Sequence, residues 1–202
     1  MIKVYLSNLF RFFFLILLQV IILNNIGLYN MVNPYLYVMF ILLLPLETPL
    51  YLLLGLSFAM GLSIDIFSNT GGMHAAACTL MAFVRPLVLL IITPRGGYEH
   101  QPVPNLRNMG IQWFLTYSVI LVLVHHLLLF QLEIFRIDEF LITFTRSILS
   151  SVFTLVLIFI AQYLTGSSKK RIWTSFSKGN SSFKAWWFSS PLFYYRDCFI
   201  YR

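Results

Sequence analysis

The sequence predicts an all-α integral membrane protein, a compact bundle of about six transmembrane helices. Three observations predict it. Hydrophobic residues fill 59% of the 202 positions and charged residues only 10%, against roughly 45–50% and about 25% in ordinary soluble domains. The apolar residues gather into long runs, and a membrane-crossing helix needs about 20 of them. The formal charge of +7 is distributed unevenly, with basic residues collected at particular connections and at the C-terminal end.

Taken in order, the candidate spans are residues 11–28, 34–45, 50–67, 74–93, 112–131 and 141–165. The second is short, and only Leu46-Glu47-Thr48-Pro49 separates it from the third. Those two read either as a tight hairpin or as a half-inserted element followed by a full span, so five spans is the alternative count. The first run follows Lys3 and Arg11 as a signal peptide would, yet Asn24-Asn25-Ile26-Gly27-Leu28 lacks a small-x-small cleavage pattern. A retained first helix is expected. Lys3 and Arg11 precede span one, Arg95 and Arg107 lie between spans four and five, and Lys169-Lys170-Arg171 follows span six. The connections after spans one and three carry no Lys or Arg. The positive-inside rule then places both termini in the cytoplasm, which requires an even number of crossings. Residues 94–108, with three prolines, read as an irregular cytoplasmic loop. Two regions follow: a transmembrane domain over 1–168 and a basic, aromatic-rich cytoplasmic tail over 169–202.

Composition also narrows the function classes. Beside a membrane span, a basic tail marks the cytoplasmic face and anionic lipid headgroups, and no nucleic-acid motif accompanies it. Cys78 lies in a span and Cys198 in the tail, so the two are not expected to pair. There is no nucleophile elbow, no phosphate-binding glycine loop and no His-Glu-x-x-His pattern, so neither catalysis nor a cofactor is expected.

What remains is a set of polar and small residues inside the apolar runs. An ionisable group in hydrocarbon costs a few kcal/mol or more, so it has a partner or a task. Asp65 lies near the outer end of span three, where it either reaches water and caps the turn or anchors a hairpin. At about 1.5 Å per residue, Asp65 lies roughly 3 Å inside the outer boundary, Arg146 roughly 8 Å and Arg85 roughly 16 Å. Depth therefore favours Asp65 with His74 or Arg146, and leaves Glu47 as the better acid for Arg85. Pro86 removes a backbone donor in mid-span and implies a kink. Adjacent helix positions diverge by about 100°, so His125 and His126 cannot hold one metal ion, and one is expected to face lipid or a neighbour. Gly61 belongs to a run of small residues in span three that faces Ala75, Ala76 and Ala77 in span four, which allows close helix approach. Gly71-Gly72 supplies freedom for the turn.

Read as a string, Gly61-Leu62-Ser63-Ile64-Asp65-Ile66-Phe67-Ser68-Asn69-Thr70-Gly71-Gly72-Met73-His74-Ala75-Ala76 resembles the hallmark hairpin of the rod shape-determining protein MreD family. Its continuation through Arg85-Pro86 and Pro94-Arg95-Gly96-Gly97-Tyr98-Glu99 is most similar to the Bacteroidetes branch. The resemblance is strongest over 50–99 and extends to about Arg171; residues 173–202 lie outside it and are assigned no function. It implies a multi-pass protein of the bacterial inner membrane without catalysis of its own. It implies an MreC-like partner and, indirectly, MreB-like filaments, a RodA-like glycosyltransferase and a penicillin-binding transpeptidase in peptidoglycan synthesis and cell shape. It also implies a fold like the substrate-binding membrane subunits of energy-coupling-factor transporters. The alternative function is such a subunit of a small-molecule transporter. The structural or partner-contact candidates are Gly61, Asp65, Gly72, His74, Arg85, Pro86 and Arg146.

Overall fold

The long apolar runs become helices in the computed structural model, which describes residues 2–25, 33–94, 97–98, 103–134 and 140–178. The α-helices are α1 (Ile2–Ile21), α2 (Met39–Leu42), α3 (Leu50–Ser68), α4 (Met73–Ile91), α5 (Leu106–Met109), α6 (Ile111–Ile134) and α7 (Phe140–Lys178). No strand occurs among the described residues. Among the described residues, five helical stretches are long and apolar enough to cross a membrane: Leu6–Asn25, Leu50–Ser68, Met73–Ile91, Ile111–Ile134 and Leu141–Thr165.

The segment expected as a second spanning helix differs. Between Pro34 and Pro45 the chain makes a 3-10 turn, Leu36–Val38, and then the single turn α2. Seven helical residues rise only about 10–12 Å, too little to cross a bilayer as a helix. Tyr35 through Leu44 are all buried, so this segment runs inside protein instead of facing lipid. Non-helical backbone at membrane depth is tolerated only where the protein supplies the missing hydrogen bonds. Here side chains supply them. The Gln19 amide from α1 donates to Pro34 O (3.0 Å) and accepts from Leu36 N–H (2.9 Å). Tyr35 N–H donates to Thr154 Oγ1 at 3.1 Å and Asn33 N–H to Ser150 Oγ at 3.2 Å, both on α7.

Contacts at the helix ends fix the directions. Asn24 donates to Ser68 Oγ at 3.1 Å, so α1 and α3 finish at the same end, which we call the turn end. α3 starts about 28 Å away, given 19 residues at 1.5 Å each. The buried segment therefore carries the chain back through the bundle between them. Trp113 Nε1 donates to Ile92 O at 2.9 Å, joining the start of α6 to the end of α4. Arg146 of α7 faces Glu133 of α6 at 3.7 Å, joining the start of α7 to the end of α6. α1 thus begins at the end of the bundle opposite the turn end, and α7 runs toward that same end.

The most extensive interface joins α3 and α4, followed by α4 with α6. α4 packs against both α3 and α6, with Ala77, Cys78, Met81 and Ala82 fully buried. Lipid-ready surface covers the outside: Phe10, Phe13 and Phe14 of α1, Phe58 of α3 and Phe83 of α4 are exposed. The connection after α4, expected to be irregular, contains the short α5, capped by Asn105 Oδ1 accepting from Asn108 N–H at 2.7 Å. Near it, Tyr98 donates to Leu89 O at 2.7 Å, and partial burial holds its hydroxyl above the usual phenol range. The chain forms two units, Met1–Gln162 and Tyr163–Arg202. Within the second, the α7 backbone is described to Lys178, and residues 179–202 of the tail lie outside the described residues.

Candidate functional site

The polar interior is built upward from the turn between α3 and α4. α3 ends because Asn69 takes the left-handed conformation at φ 55°, and Gly72 follows at φ 92°. These two positive angles reverse the chain within four residues, and Gly72 meets that need without Cβ strain. The reversal aims the free N–H groups at the start of α4 toward α3, where Asp65 receives them. Its Oδ1 accepts from His74 N–H at 3.0 Å and from Thr70 Oγ1 at 2.6 Å. Its Oδ2 accepts from Ala75 N–H at 2.8 Å. A carboxylate at a helix N-terminus satisfies orphan donors and faces the positive end of the helix dipole. Asp65 is only 5% exposed. It therefore anchors the hairpin from within, one turn below Gly61.

Gly61 makes that geometry reachable. A Cβ built there would lie 2.5 Å from both Ala75 Cα and His74 O, which are backbone atoms that cannot swing aside. Gly55, in contrast, has open space around the same position. The small-residue reading of the α3–α4 contact thus narrows to one residue at the point of closest approach.

Depth along the helices favoured His74 or Arg146 over Arg85 as the partner of Asp65. The structure gives Asp65 to His74 and places Arg146 beside Glu133; His74 meets the carboxylate through its backbone N–H, while its ring turns to Tyr37. Tyr37 OH lies 2.7 Å from His74 Nδ1 and 2.9 Å from His125 Nε2. A phenol has one proton to give, so at least one of these imidazoles donates to the Tyr37 oxygen. His125 Nδ1 finds no partner among the described residues. The expectation that one of the paired histidines faces lipid is corrected, since both are 0% exposed. They still diverge around α6, but protein lies on both sides. His126 Nδ1 donates to Val122 O at 2.9 Å, which leaves Nε2 to accept from Thr154 Oγ1 of α7 at 3.2 Å.

Deeper in the bundle, Arg85 is 1% exposed. The proposed partner Glu47 is exposed instead, and the guanidinium is held elsewhere. Arg85 Nε donates to Tyr117 OH at 2.7 Å, and Nη2 donates to Leu44 O. Tyr117 passes its own proton to Leu42 O at 3.1 Å. Both carbonyls belong to the end of the buried segment, where α2 stops and its last carbonyls lack helical partners. The cation sits at the negative end of that short helix and fastens it to α4 and α6. Pro86, the next residue, is exposed about 100° further around α4, while Arg85 is buried.

Arg146 is separate from both clusters. It meets Glu133 at 3.7 Å and lies 5.0 Å from the centre of the Phe130 ring. The structure thus brings Gly61, Asp65, Gly72 and His74 together, sets Arg85 and Pro86 at a second depth, and leaves Arg146 at the α6–α7 end. Residues that sequence reasoning missed include Gln19, Tyr37, Tyr117 and Thr154. Gln19 carried a signal, as an amide inside an apolar run; the tyrosines did not stand out among 11.

Chemically, the arrangement satisfies polar groups and holds helices. Among the described residues, no group of three or more His, Cys, Asp or Glu is placed to hold a metal ion. Two surface grooves are open and apolar: one of about 560 Å³ between α3 and α4, and one of about 300 Å³ along Leu141–Leu149 of α7. No family model, curated protein or solved structure matches the chain.

Proposed function

We propose that this chain is a non-catalytic scaffold of the MreD type in the bacterial inner membrane, where it binds an MreC-like protein. Through that partner it links MreB-like filaments to a RodA-like glycosyltransferase and a penicillin-binding transpeptidase, directing peptidoglycan synthesis and cell shape. The observation that carries the reading is the hairpin. In the string that resembles the MreD family, Gly61, Asp65, Gly72 and His74 each have an identifiable role in packing or capping. A motif spent on building a rigid helix pair fits a protein that presents surfaces.

The topology belongs to the same proposal. The chain crosses six times, with the buried segment as the second crossing, and both termini lie in the cytoplasm. Lys3 near the start of α1 and Arg107 beside the start of α6 sit on that side, as the positive-inside rule requires, with Arg11 midway along α1. The α3–α4 turn then faces the periplasm.

The transporter-subunit reading would draw on Arg85, a cation at mid-depth. Its polar partners are a tyrosine and one main-chain carbonyl of the same chain, and Tyr37, Phe40, Leu42 and Leu44 of the buried segment are closed off from the outside. That packing favours the scaffold. Affinity purification from detergent-solubilised membranes tests it: an MreC-like protein should co-purify. Recovery of a nucleotide-hydrolysing transport module in its place would overturn the scaffold reading in favour of the carrier.

A further inference from the structure

We draw no further inference here: the strongest candidate, the open lipid-facing groove between α3 and α4 lined by Phe58, Leu62, Ala75, Ala76, Thr79 and Phe83, is an unpartnered apolar face, and nothing in the structure shows what covers it.

Discussion

Asp65 accepts three hydrogen bonds at a depth where water is scarce, and each donor has a different claim on it. Thr70 closes the turn, while the N–H groups of His74 and Ala75 begin α4. Asp65→Ala strands all three donors, and leaving a buried donor unpaired costs about 1–3 kcal/mol. Asp65→Asn keeps one acceptor oxygen and the side-chain shape but gives up the charge that faces the helix dipole. Thermal unfolding in detergent should therefore rank the native protein above Asp65→Asn, and Asp65→Ala lowest. Equal stability of all three would show that the cap contributes nothing. Gly61 offers a sharper contrast. Gly61→Ala places a methyl against α4 backbone, whereas Gly55→Ala meets nothing within 4 Å. Gly61→Ala should lower the melting temperature and Gly55→Ala should leave it unchanged or raise it slightly, since alanine is the better helix former.

At the level of elements, most of the spanning helices were legible because hydrocarbon demands a single simple signal, a long apolar run. α3, α4, α6 and the apolar part of α7 lie close to their expected limits. The segment between Pro34 and Pro45 carried that signal too, yet it forms short turns. Its apolar residues are buried by other helices, and composition does not distinguish burial in protein from burial in lipid. The acid expected for Arg85 was misjudged, and the manner in which His74 meets Asp65 was not foreseen, for a related reason. Depth along an axis limits which side chains can meet, but it ignores main-chain groups. At both sites, main-chain groups supply part of the pairing: N–H groups at the start of α4, and carbonyls at the end of α2. The buried segment should consequently depend on Arg85. Arg85→Met leaves Leu44 O without its donor, and Tyr117→Phe removes the donor to Leu42 O. Each should cost about 1–3 kcal/mol. Because both act on one network, the double variant should lose less than the sum of the two. Strict additivity in the same melting assay would show that the two side chains hold the segment independently.

Across the whole molecule, the account ties one topology to one role. On the proposed topology the buried segment is a crossing that returns the chain to the side on which α1 began, so that the five long helices among the described residues would accompany six passages of the membrane. Reporter fusions at the N-terminus and at Leu164 should give the same cytoplasmic signal. Opposite signals would remove the second crossing. The tail offers no comparable argument, because residues 173–202 lie outside the resembling region and only the backbone of α7 as far as Lys178 is described.

The central claim is that the bundle works by holding partners together. Controlled depletion of the protein in a rod-shaped host, followed by imaging and nutrient uptake, tests that claim most directly. The account predicts round or swollen cells with uptake unchanged, and rescue by the native chain but not by Gly61→Leu, which forces α3 and α4 apart. Normal rods that fail to take up one nutrient would contradict it.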